Sequence, residues 1–220
     1  LEQFAADPSK LSVEEMVYGA NKLVKDDATR QKWNEAIAKQ YPSDYRALNN
    51  MAQQAISKGD MAAAQNYLKQ AANVNKNASE VNTNLALMAL KSGDVAKAET
   101  YLSKGTGSDT FKEVMGNLNI AKGNYTQAAS DLAGVNTNSA ALAQILAKDY
   151  TSAKTTLSKI KNADATTSYL QAVLAARTGD SSALSSSLKN AIQQDGTLAA
   201  RAAKDLEFAK YANVVKNLVK

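Results

Sequence analysis

The sequence predicts an all-α fold of stacked helical hairpins, and three observations carry that prediction. A Gly-Asp pair recurs at Gly59 and Gly93, 34 residues apart, with matched surroundings: Met51 answers Leu85, Ala52 answers Ala86, Ala64 answers Ala98, Tyr67 answers Tyr101 and Leu68 answers Leu102. Apolar residues are spaced by three and four around the pair, as Leu48, Met51, Ala52 and Ala55 before it and Ala64, Tyr67, Leu68 and Ala71 after it. That interval places side chains on one helical face. No stretch alternates with the two-residue period of a half-buried strand.

Taken in order, residues 1–44 fit a divergent first hairpin. Ser12 to Glu15 reads SVEE, a capping-box pattern, Asp26 and Asp27 sit where a turn is expected, and Pro42 lies where a repeat would end. Residues 45–197 hold the repeats. Beyond the two best units, weaker copies follow as IAKGNYTQAASDL around Gly123, LAKDYTSAKTTL around Lys148 and AARTGDSSALSSSL around Gly179, at spacings of 30, 25 and 31 residues. The shortening falls in linkers rich in Gly, Ser, Thr and Asn. At the joints of Gly59, Gly93, Gly123 and Gly179 the glycine is expected to end one helix in a left-handed conformation and the next residue to cap the following helix, Asp60 and Asp94 being the clearest caps. Ala64, Ala98, Ala128 and Ala153 are expected to let helices approach, with Leu68, Leu102, Leu132 and Leu157 filling the space beyond. Residues 198–220 extend as further helix, a cap for the last apolar face.

Composition narrows the chemistry. The chain has 220 residues, 45% hydrophobic and 21% charged, with only 2 Pro, which suits an ordered polypeptide with a sizeable core. Zero Cys and zero His remove thiolate nucleophiles, Cys-based zinc sites, most hydrolase triads and HExxH centres. No cofactor or metal is called for. The net charge of +5 is spread among interleaved acids and bases, which points to a solvated surface rather than a nucleic-acid footprint. No run approaches the ~20 apolar residues of a membrane span. The first residue is Leu, so a trimmed chain is expected, with any export signal or neighbouring domain outside it.

Candidate motifs have structural readings. GTGSDT, Gly105 to Thr110, lacks a third glycine and a following Gly-Lys-Ser/Thr element, so it reads as a linker that ends in an Asp109 or Thr110 cap closed by Glu113. The carboxylates of Glu14/Glu15 and Asp26/Asp27 are sequence neighbours, which point apart on a helix. Asn77-Ala-Ser79 and Asn124-Tyr-Thr126 match the glycosylation pattern and are read as incidental.

A helical hairpin with this period resembles the tetratricopeptide repeat family. Leu48 stands at its Trp position, Met51 at Leu, Ala52 at Gly, Ala55 at Tyr, Ala64 at Ala and Leu68 at Phe, so the large aromatics are absent. The resemblance implies a right-handed α-α superhelix of about six hairpins plus a C-terminal cap, with a concave groove lined by the first helix of each hairpin. On that face it would present Asn49, Asn50, Gln53 and Ile56, then Thr83, Asn84, Leu87 and Lys91, then Glu113 and Asn117. Amides that both donate and accept suit an extended peptide backbone. Family members that clamp a terminal carboxylate use cations where this chain has Asn49, Thr110 and Val114, although Asn84 matches.

LSVEEMVYGA, YPSDYRALNNMA, NSAALAQILAKDYTSA and AARAAKDLEFAKYA also resemble the repeat region of envelope proteins from Bacteroides-type bacteria, some of which carry an OmpA-like domain elsewhere. This implies a periplasmic or outer-membrane-associated setting. The function expected is a non-catalytic scaffold binding a protein or peptide partner, with no nucleic acid and no membrane insertion of this region. The alternative is a structural spacer between flanking domains.

Overall fold

In the computed structural model, which describes residues 10–219, helix begins where the capping box predicts. Ser12 precedes α1, Val13–Tyr18; its N–H donates to Glu15 Oε2 at 2.9 Å, and Glu15 N–H donates back to Ser12 Oγ. A π-helical turn, Gly19–Leu23, continues α1. A Cβ at Gly19 would lie 2.5 Å from the Trp33 ring, so glycine lets this turn lie against α2, Asp27–Gln40. Asp26 caps α2 by accepting the Thr29 N–H, a bond that holds its carboxyl below the usual range.

The repeats follow as α3 (Tyr45–Lys58) with α4 (Met61–Val74), α5 (Ser79–Lys91) with α6 (Val95–Leu102), and α7 (Asp109–Ala121) with α8 (Tyr125–Asp131). Then come α9 (Asn138–Leu146) with α10 (Tyr150–Lys159) and α11 (Ala165–Thr178) with α12 (Ser181–Gln194). The C-terminal cap is more broken than the continuous helix the sequence suggests: a short α13 (Leu198–Ala202), a 3-10 turn (Leu206–Tyr211) and α14 (Ala212–Leu218). With α1 and α2, these make six hairpins and a cap among the described residues, and no strand occurs there. Nor is any described helix long and apolar enough to cross a membrane.

The recurring dipeptide is a joint. Gly59, Gly93, Gly123 and Gly179 have φ of 79°, 79°, 78° and 83°, the left-handed region. Asp60, Asp94 and Asp180 then accept the N–H groups of Ala63, Lys97 and Ala183 at 2.9 to 3.0 Å. Asn124 makes no such side-chain bond. Lys148 adopts φ 64° at the joint without glycine, and Asp149 caps as its counterparts do, through Ser152 N–H. At the GTGSDT linker the cap is Ser108, whose Oγ accepts the Phe111 N–H at 3.1 Å, rather than Asp109 or Thr110. The linker turns one residue earlier than its acidic residue suggests, because α7 already begins at Asp109.

The chain divides into two compact units between Val114 and Met115. In unit 1, Met16, Trp33 and Ile37 form one cluster, and Met51, Leu68 and Val81 another. Arg46 on α3 donates through both terminal nitrogens to Glu14 at 2.8 Å and also binds Asp44, drawing both carboxyls below their usual range. In unit 2 the packing centres on Tyr169, Leu184, Leu188 and Phe208. Ala64, Ala98, Ala128 and Ala153 are fully buried, and Leu68, Leu102, Leu132 and Leu157 are nearly so, as the periodicity requires. Gly116 on α7 meets Leu132: a Cβ there would sit 2.4 Å from its methyl carbon.

Candidate functional site

The nominated first-helix residues fall into three groups once the hairpins stack. Asn49, Thr83 and Asn84, expected on an open face, are instead buried, at 7%, 1% and 3% exposure. Asn84 Nδ2 donates to Asn49 Oδ1 at 2.9 Å and Thr83 Oγ1 donates to the Ser79 carbonyl, so these side chains join hairpins or cap their own helix. The correction has a simple cause. A neighbouring first helix covers the edge of the stripe that the single-helix periodicity leaves open.

A second group is scattered. Leu87 is half-buried against the Ala55, Ile56 and Ala64 cluster. Lys91 lines a different pocket, between α4, α5 and α6, with Gln65, Met88 and Tyr101. Glu113 is half-buried in unit 1 and Asn117 half-buried in unit 2.

Only Asn50 and Gln53 come together in one pocket. It lies in unit 1 beside α1, α2 and α3, has a volume of about 570 Å3, and is walled by Asn21, Lys22, Asp27, Arg30, Gln54, Ser57 and Lys58 as well. Its size lies within the range of ligand sites. The α3 contribution is one stripe, Asn50, Gln53, Gln54 and Ser57, at intervals of three and four. Asn21 arrives from the π-helical turn, and Asn50 Nδ2 donates to its Oδ1 at 2.9 Å and to Asn34 Oδ1 at 3.4 Å. Arg30 is committed to the scaffold, donating to the Ala20 and Val24 carbonyls and pairing with Asp27.

The amides of this cluster are incompletely paired. Both polar atoms of Gln54 are buried without a hydrogen-bond partner, and so is Nδ2 of the fully buried Asn34. Each such atom costs about 1–3 kcal/mol in lost hydration. A side chain that offers one donor and one acceptor from the same planar group matches the N–H and C=O of a peptide unit. The three-and-four spacing that contains Asn50 and Gln53 also contains Gln54 and Ser57, which the inner-face positions expected from the sequence did not include. Nothing local marks Asn34 or Asn21, which reach the site through packing of the first hairpin.

Unit 2 has its own pocket, of about 420 Å3, with an apolar floor of Leu142, Ile145, Leu170 and Val173. Charges at its rim are internally matched. Arg177 pairs with Glu207, Tyr169 Oη donates to Asp205 at 2.6 Å, and the Arg201 guanidinium stands 4.8 Å above the Tyr169 ring. Burial, followed by the bond to Asp205, pushes the Tyr169 phenol up from its usual range. Among the described residues no group of three or more His, Cys, Asp or Glu is placed to hold a metal ion.

The same architecture occurs in known structures. Over its whole length the chain matches a chain of the crystallised APC/C hetero-tetramer Cut9-Hcn1, with a TM-score of 0.68 and 12% identity. It spans 44% of that chain. A tetratricopeptide repeat protein from Parabacteroides merdae matches 99% of this chain and 87% of its own, with a TM-score of 0.58 and 14% identity. At these identities the likeness is one of fold, and the fold is the all-helical tetratricopeptide-type repeat. No protein-family model and no curated protein sequence matches the chain.

Proposed function

We propose that the protein is a non-catalytic scaffold that holds an extended segment of a partner protein in the unit 1 pocket beside α3. The observation that carries this reading is the unit 1 pocket itself, about 570 Å3 in volume and walled by the amide residues Asn21, Asn50, Gln53 and Gln54. Amides that both donate and accept match the N–H and C=O of an extended main chain. The tetratricopeptide-type neighbours support the general class, since one of them is part of a crystallised multi-chain assembly. A bacterial envelope setting is our proposal for location, supported by the resemblance of the quoted segments; recovery of the native protein in the cytosolic fraction would oppose it.

The test uses a neutral probe, acetyl-Ala-Ala-Asn-Ala-Ala-amide, followed by amide chemical shifts of the purified chain. Shifts concentrated at Asn50, Gln53, Gln54 and Ser57, and strongly reduced in Gln53→Met with helicity intact, are the expected result. Shifts that are absent, or unchanged in Gln53→Met, would instead favour a spacer without a ligand of its own.

A further inference from the structure

We infer that unit 2 carries a further binding site, for a neutral saccharide, in the groove between α10, α11 and α12. It is independent of the peptide-binding reading, since every residue that lines the groove lies in unit 2.

The groove has a volume of about 430 Å3, and each of its three helices turns one face into it. Tyr150 and Lys154 come from α10, Gln171 and Leu174 from α11, and Ala183 and Ser187 from α12, each pair three or four residues apart. Leu157, Leu174 and Ala175 supply an apolar floor. Its two charged residues, Lys154 and Asp180, are of opposite sign, and the Asp180 carboxylate accepts the Ala183 N–H as the cap of α12.

The polar groups are open to a ligand. Gln171 and Ser187 are half-buried and Lys154 is exposed, and none of the three side chains has a hydrogen bond or ion pair among the described residues. None of them is among the buried unpaired atoms, so their polar ends meet solvent. A sugar hydroxyl both donates and accepts, and the set offered here does the same: an amide with donor and acceptor, a hydroxyl, and an ammonium donor. The Tyr150 ring and the leucines present apolar surface to the C–H face of the same sugar. A peptide main chain needs amides in a line, and this groove has one. A phosphate chain needs uncompensated positive charge, which Asp180 offsets.

The matching groove of unit 1 shows that the repeat does not require this lining. Counted from the joints, Met61 stands where unit 2 has Tyr150, Leu85 where it has Gln171 and Tyr101 where it has Ser187, and all three line the groove between α4, α5 and α6. The positions that hold the hairpins are shared, with Asp94 and Asp180 as caps and Ala89 and Ala175 in the floor. The amide and the ring beside it thus belong to the surface of unit 2 and not to the hairpin.

The probes are cellobiose, maltose and N,N′-diacetylchitobiose, titrated separately into the purified chain while its amide chemical shifts are followed. At least one should move the amides of Lys154, Gln171 and Ser187, with a dissociation constant on the order of 1 mM for so small a ligand. Tyr150→Met with Gln171→Leu takes the residues that the same positions hold in unit 1, so the melting midpoint should be kept while binding weakens roughly ten-fold or more. Ser187→Ala, which removes one half-buried hydroxyl, should weaken it about three-fold. Absence of shifts with all three sugars, or binding that survives both variants, overturns the assignment. Tighter binding of acetyl-Ala-Ala-Asn-Ala-Ala-amide at these same residues overturns it in favour of a peptide.

Discussion

In unit 1 the pocket beside α3 is walled by Asn21, Asn50, Gln53 and Gln54, whereas in unit 2 the pocket beside α11 rests on Leu142, Ile145, Leu170 and Val173. The hairpins that build them share their structural positions. Buried alanines, the leucines four residues on and the left-handed joint recur in both units. What differs is the lining supplied by the first helices, largely amide at the unit 1 pocket and largely apolar at the floor of the unit 2 pocket. The repeat thus separates positions that fix the backbone from positions that set surface chemistry, and the second set varies without disturbing the first.

Substitutions in each unit test the contrast directly. The largest effect is expected at Phe208, which is 1% exposed and packs edge-on against Tyr169 with ring centroids 5.5 Å apart. Phe208→Ala should cost about 3–5 kcal/mol in a urea titration, since the apolar unit depends on its cap; an unchanged midpoint would show that the cap is dispensable. At the polar pocket the sign should reverse. Gln54→Met keeps the length of the side chain and removes two unpaired polar atoms, so it should stabilise the protein by about 1–2 kcal/mol. Loss of stability in that variant would mean that the amide is satisfied in solution.

The joints give smaller effects and test the positions that both units share. Asp94→Ala should cost about 1 kcal/mol through the lost bond to Lys97 N–H. Lys148→Gly should stabilise by about 0.5–1 kcal/mol, because a side chain at φ 64° is strained where its counterparts are glycine. A lower melting midpoint for Lys148→Gly would indicate that the lysine side chain compensates the strain.

Much of the fold was legible because it is written in local chemistry. The Ser12–Glu15 capping box, the aspartate caps and the glycine joints concern residues within one turn of each other, and the alanine and leucine positions follow from helical period alone. The site was legible only in part. Asn50 and Gln53 belong to a visible stripe, but Asn49 and Asn84, drawn from the same stripe, pair with each other across hairpins and leave the surface.

By itself, then, the sequence determined the helices, their joints and the order of hairpins, since hydrogen bonding within a turn and apolar periodicity are properties of short segments. Tertiary structure decided which amides are buried between hairpins and which line a pocket. How neighbouring hairpins are seated separates the buried Asn49–Asn84 pair from Asn50 and Gln53, which line the pocket, and that seating depends on packing such as Gly19 against Trp33 and Arg30 under the π-helical turn. No spacing rule on a single helix contains it, because the partners lie on different helices and meet only when the hairpins stack.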